Sequence, residues 1–125
     1  MKKIQWMLMM VLICGPAYAL SSHEEEAGTN AADALARLKE GNKRYVDAEA
    51  DHPNQGKARK EEVAGGQHPF AIVLGCADSR VPPELIFDQG LGDLFVNRVA
   101  GNIVNDAMLG SIEYAVEHLG VRLIV

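Results

Sequence analysis

From the middle thirties onward, apolar residues recur at helical spacing. Leu35, Leu38, Asn42, Tyr45 and Val46 share one mostly apolar face of a helix predicted over Asn30 to about Ala48. Asn30 suits the N-cap, and Asp33 favours the positive first turn. Asp51 to Gly56 is rich in turn formers and breaks the pattern. Lys57 to Ala64 reads as a short polar helix closed by Gly65 and Gly66. Phe70 to Leu74 is an unbroken apolar run between Pro69 and Gly75, as in a strand buried on both faces. Pro82 and Pro83 exclude a continuing central strand and open a short helix through Phe87. Gly90 and Gly92 punctuate a loop before a second strand, Leu94 to Val99. In the helix Asn105 to Leu119, Met108, Ile112, Ala115, Val116 and Leu119 fall on one face. Asn105 caps it, Asp106 sits at its positive end and Gly120 closes it. Val121 to Val125 begins a third strand. The order strand, short helix, strand, helix, strand predicts an α/β fold with a parallel β-sheet core flanked by helices.

The first nineteen residues follow a different rule. Lys2 and Lys3 precede an apolar stretch, Ile4 to Ile13, too short to span a bilayer comfortably, and Ala17-Tyr18-Ala19 is a small-residue cleavage signal. Residues 1–19 therefore read as a signal peptide cut before Leu20, with export to the periplasm or the medium. Lipoprotein processing around Cys14 is the lesser alternative, because Ile13 stands where such signals want a small residue. Residues 20–29, with Glu24 to Glu26, read as a polar lead-in, and 30–125 as one domain. Removing the signal changes the net charge from −5 to −7, which argues against a nucleic-acid partner. No membrane association is expected after cleavage. Cys76 then stands as the one cysteine, so no internal disulfide is available, and a lone thiol in an oxidising compartment calls for an occupant.

Cys76 sits where the first strand ends, the usual place for ligands in parallel sheets. Asp78 and Arg80 follow at spacings of two, so in extended chain all three would point the same way. A phosphatase-type loop needs an arginine where Pro82 stands, so a thiolate nucleophile is disfavoured. A buried structural cysteine beside a surface Asp–Arg pair is the plainer reading. Metal ligation is the sharper one, since thiolate and carboxylate both suit zinc, but two donors are half of a site. His118 in the last turn of a helix, His68 at the wrong end of its strand and His52 in a turn are not compelling as the others. His23 beside three glutamates reads as part of a solvated tail. Residues past Val125, if the third strand is parallel to the first, would lie near Cys76. Asp88 and Asp93 read as loop charges rather than a catalytic carboxylate pair. Gly90 and Gly92 lack the third glycine of a dinucleotide fingerprint.

The run CADSRVPPELIFDQGLGDLFVNRVAGNIV, Cys76 to Val104, resembles the signature of the β-class carbonic anhydrases. Leu38 with Gly41 to Tyr45, Gly66 to Pro69, Ser111 to Ala115 and Leu119 to Val121 extend the resemblance over about Leu35 to Val125. It implies carbonate dehydratase activity, the reversible hydration of carbon dioxide to bicarbonate by a zinc-bound hydroxide. Cys76 is then a zinc ligand, and Asp78 with Arg80 the family's dyad, Asp78 alternating between zinc and Arg80. Gln67 matches a residue that hydrogen-bonds a substrate oxygen, and Phe95 and Ala100 match positions lining the substrate pocket. The family's remaining ligands, in an HxxC arrangement, would lie beyond Val125, so the sequence reads as a fragment unable to hold catalytic zinc well by itself. Arg98 matches an arginine that helps hold non-catalytic bicarbonate in allosteric members, but Val73 replaces the tryptophan of such sites, so no regulatory site is expected. The resemblance also implies a homodimer or tetramer with active sites bordering the dimer interface. Carbonyl sulfide or carbon disulfide hydrolysis on the same fold, and a non-catalytic binding module, are the alternatives.

Overall fold

A computed structural model describes residues 29–125. The expected signal peptide at residues 1–19, Cys14, His23 and the acidic part of the expected lead-in lie outside the described residues. Among the described residues, no helix is long and apolar enough to cross a membrane.

Helix α1 spans Ala31–Val46. The Asn30 side chain accepts the Asp33 N–H at 2.9 Å, answering one of the amides that a helix start leaves unpaired. The buried stripe is Ala34, Leu38 and Gly41, not the predicted Leu35, Tyr45 and Val46, which are exposed. The reason is steric. At Gly41 the helix rides on the main chain of Phe87, so close that a Cβ there would lie 1.8 Å from the Phe87 carbonyl oxygen. The contact turns the glycine side of α1 inward and the larger residues outward. Helix α2 (Lys57–Glu62) buries nothing and runs into a single 3₁₀ turn at Val63–Gly65.

Strand β1 spans Ala71–Cys76, α3 Pro83–Ile86, β2 Leu94–Val99 and α4 Asp106–His118. The first strand thus runs two residues past its apolar core and takes Cys76 as its last member. β1 and β2 are parallel, with Ile72 opposite Phe95 and Cys76 opposite Val99. Val121–Val125 lies on the other side of β1. It makes one parallel bridge, Ile124 with Ile72, rather than a full strand, through Ile72 N–H to Leu123 at 2.8 Å, Val125 N–H to Ile72 at 3.0 Å and Leu74 N–H to Val125 at 2.8 Å.

Consecutive residues of β1 feed two cores. Ala71 packs with Ala34, Leu38 and Phe70 under α1, while Ile72 packs with Ile112, Ala115 and Val121 under α4. Covering helices on both faces explain why the strand lacks alternation. On α4 the buried line is Met108, Ile112 and Ala115, and Val116 is exposed.

Asp88 and Asp93 are not solvated loop charges. Both are nearly inaccessible, at 2% and 4% exposure. Asp88 accepts from Arg44 Nε at 2.6 Å and from the backbone N–H groups of Asp51 and His52 at 3.0 Å each. Asp93 accepts from Asn54 Nδ2 at 2.9 Å and the Gly90 N–H at 2.8 Å, with Arg37 at 3.2 Å beside it. Two buried carboxylates therefore stitch the loop at residues 51–56 to the loop at 87–93. Burial pushes Asp88 up, but the Arg44 hydrogen bond and the two backbone donors outweigh it and leave the carboxyl below its usual range.

Candidate metal centre

Cys76 ends β1, and the ladder ends with it. Beyond it, the Ala77 N–H still bonds to the Val99 carbonyl at 3.0 Å. The chain then turns instead of staying extended. Asp78 Oδ1 accepts the Arg80 backbone N–H at 2.9 Å and Arg80 Nε at 3.0 Å, and Oδ2 accepts Nη2 at 2.7 Å. The turn thus replaces the expected same-side alignment of Cys76, Asp78 and Arg80, and it closes Asp78 and Arg80 into a bidentate pair. Arg80 and its backbone N–H hold the Asp78 carboxyl below the ordinary range, and the guanidinium is raised in return. The Arg80 side chain is 85% exposed, so solvent can compete for it.

The chain after β2 curls over the same end. Gly101 has φ +78° and Asn102 φ +54°, left-handed conformations that glycine and asparagine tolerate best. The backbone N–H groups of Gly101 and Asp78 face the Cys76 sulfur and pull its thiol pKa down, against the opposing effect of burial. A thiol poised toward thiolate is the form that binds a metal.

The donor set fits zinc in kind but not in number. Cys76 and Asp78 are zinc-type donors, yet no group of three or more His, Cys, Asp or Glu converges among the described residues. His118 lies against the Tyr114 ring at 5.1 Å, and His52 donates its backbone N–H to Asp88. His68 lines a cavity of about 500 Å³ with Arg37, Arg59 and Asp93 at the entry side of β1, away from Cys76.

Of the expected substrate-binding residues, the structure brings one to Cys76. Ala100 follows Val99, the partner of Cys76, and is exposed there. Phe95 is four positions back along β2, roughly 13 Å at strand rise, and packs against the Ile72 core with its ring 6.3 Å from that of Tyr114. Gln67 precedes β1, with all of Ala71–Cys76, roughly 17 Å of strand, between it and the thiol. Neither touches the Cys76 end within one chain.

Two features escaped the sequence. Arg98, for which no regulatory bicarbonate site is expected, donates Nε to the Cys76 carbonyl at 2.8 Å and Nη2 to the Asp78 carbonyl. Asn97, one residue earlier and 7% exposed, leaves its Nδ2 with no partner, the single such buried side-chain atom among the described residues. No local signal marks either, since both depend on the β1–β2 register.

Comparison with known proteins now adds the lineage. Residues 71–125 match the family model described as carbonic anhydrase. Carbonic anhydrase 2 of Mycobacterium tuberculosis is 55% identical over 97 residues, covering 78% of this chain and 47% of its own length. A Coccomyxa β-carbonic anhydrase, solved with acetazolamide, superposes with a TM-score of 0.50 at 37% identity, covering 72% of this chain and 40% of its own. The chain belongs to the β-class carbonic anhydrases. A tetrameric β-carbonic anhydrase structure from Sordaria macrospora gives a TM-score of 0.52 at 33% identity, covering 74% of this chain and 47% of its own. The expected family and α/β architecture are thereby borne out. The chain spans about half the length of the curated relatives it matches.

Proposed function

We propose that this chain carries the first half of the metal site of an exported enzyme that reversibly hydrates carbon dioxide to bicarbonate. The observation that carries the reading is the closed Asp78–Arg80 pair beside a thiol already drawn toward thiolate, at the carboxyl end of a β-carbonic anhydrase strand. Cys76 and Asp78 would hold zinc, and the family's histidine and second cysteine, expected after Val125, would complete four donors. Bound zinc supplies a Lewis acid that makes water nucleophilic near neutral pH.

The protein's own groups then divide the work. Cys76 anchors the site, and its backbone donors favour the thiolate over the thiol. Asp78 bonded to Arg80 would be withheld from the metal, and Asp78 released from Arg80 would be available to it. An apolar approach suits a small uncharged substrate, and Ala100 offers such a surface beside Cys76.

Gln67 and Phe95 fit this reading if a second copy supplies them, because their own chain keeps them far from Cys76. Exposed Leu35, Tyr45, Val46, Leu109, Tyr114 and Val116 give apolar surface for such a contact, and a dimer or tetramer is the assembly we infer. Residues 1–19 support export to the periplasm or the medium. Carbonyl sulfide, carbon disulfide and a non-catalytic module are not favoured, since the named relatives are carbonic anhydrases.

The test is stopped-flow hydration of carbon dioxide by the intact protein, with zinc measured by elemental analysis. Stoichiometric zinc and hydration above the buffer rate are expected. A protein purified without chelators that holds no metal, or a zinc-loaded protein that hydrates no faster than buffer, would overturn the reading.

A further inference from the structure

Few contacts tie the Cys76–Arg80 turn to the body of the protein. The β1–β2 ladder stops at Cys76, and Ala77 adds one main-chain bond, to Val99. Arg80 is no anchor, because its guanidinium is exposed and bonds only within the turn itself. The Gly101 N–H faces the Cys76 sulfur, and the remaining side-chain tie is Arg98. It stands on β2 opposite Gly75, and its guanidinium reaches forward to the carbonyl oxygens of Cys76 and Asp78, one on each side of Ala77.

This use of an arginine is specific. Among the described residues, no carboxylate pairs with Arg98, so its hydrogen-bonding capacity serves the main chain. A planar fork with fixed N–H directions can span two carbonyls at a set separation, and a lysine ammonium cannot reproduce that geometry. Partly buried charge-assisted bonds also resist water better than the exposed Arg80 pair does. Two of its N–H directions being occupied also removes them from any role in gripping bicarbonate.

We propose that Arg98 is a positioning residue that clamps the main chain of Cys76 and Asp78, holding the two candidate metal donors in one mutual geometry while Arg80 takes and releases the Asp78 carboxylate. The inference rests on the hydratase reading for its consequence and on the two carbonyl contacts for its structure. A donor displaced by about 1 Å can lower a rate on the order of 10²-fold without any loss of binding, which is the scale of the effect expected here.

The experiment compares wild type, Arg98→Ala and Arg98→Lys in the intact zinc-loaded protein. Arg98→Ala should lower kcat on the order of 10²-fold with KM and zinc content little changed, and added ethylguanidinium should restore part of the loss where ethylammonium does not. Arg98→Lys should recover only part of the rate. In the metal-free protein, amide hydrogen exchange at Ala77 to Val81 should speed up in Arg98→Ala while exchange in α4 stays as in wild type. An Arg98→Ala protein with wild-type kcat, a loss that guanidinium leaves untouched, or a defect seen only in the dependence on bicarbonate concentration would overturn the proposal. If wild type hydrates nothing yet exchange in the turn still depends on Arg98, the hydratase reading fails and the clamp stands.

Discussion

Replacing Gly41 with alanine sets two known effects against each other. In an isolated helix the change is favourable by about 1 kcal/mol, because alanine loses less backbone freedom than glycine. In this fold, the new methyl would sit 1.8 Å from the Phe87 carbonyl oxygen, 2.8 Å from its carbon and 3.0 Å from Gln89 Nε2. An ordinary contact is near 3.4 Å, so α1 or the Phe87 segment must retreat by roughly 1.6 Å. The obstacle is main chain, so no rotamer change relieves it. Overpacking of this kind costs about 1–3 kcal/mol. The retreat also strains the Asn42 Nδ2 bond to the Ile86 carbonyl at 3.0 Å and the Arg44–Asp88 contact at 2.6 Å, with a further loss of about 1–3 kcal/mol if one breaks. The net expectation is destabilisation by about 2–4 kcal/mol, or on the order of 10–20 °C in melting temperature. Gly110 is the internal control. It lies in α4, is exposed, and a Cβ there meets nothing within 4 Å. Gly110→Ala should stabilise by about 0.5–1 kcal/mol. Urea unfolding followed by far-ultraviolet circular dichroism reads both. A neutral or stabilising Gly41→Ala, or a Gly110→Ala that falls with it, would refute the close-approach account.

Three further outcomes are expected. Asp88→Asn keeps the shape and tolerates the left-handed φ of +44°, but it removes the charge that Arg44 and two backbone N–H groups meet, so it should lower stability at pH 7 by about 3 kcal/mol. Because the folded-state pKa of Asp88 is depressed, its contribution is fully present above the unfolded value of about 3.9 and fades as pH falls through the folded value. The gap between wild type and variant should therefore be flat near neutrality and close under acid, and a gap that widens on acidification would contradict the assignment. Asn97→Val removes an unpartnered buried amide and should raise stability by about 1–3 kcal/mol in the same urea assay, with a fall showing that the amide has a partner in solution. Cys76→Ser should lose zinc on elemental analysis, whereas Asp78→Ala should keep it and reduce hydration by about 10- to 100-fold. Full zinc in the first, or a wild-type rate in the second, would count against those roles.

Local rules sufficed for the elements. Asn30 and Asn105 cap helices because a short polar side chain can reach the third amide onward, whatever lies elsewhere in the fold. Phe70 to Leu74 announced a doubly covered strand because an unbroken apolar run has no face to give to water. The Asp78–Arg80 pair was legible for the same reason, since two residues of separation keep the partners within reach in almost any turn. Tertiary structure decided what depends on register and close approach. Gly41 against Phe87 chose which side of α1 is buried and sent Leu35 and Tyr45 outward. Asp88 and Asp93 became buried hubs because donors 36 to 56 residues away, backbone amides of another loop among them, converge on them. The parallel pairing of Gly75 with Arg98 aimed a guanidinium at the Cys76 and Asp78 carbonyls, and the length of β1 kept Gln67 from the thiol. Side-chain chemistry and short-range reach are written along the chain, whereas the meeting of distant groups exists only once two strands have chosen their register.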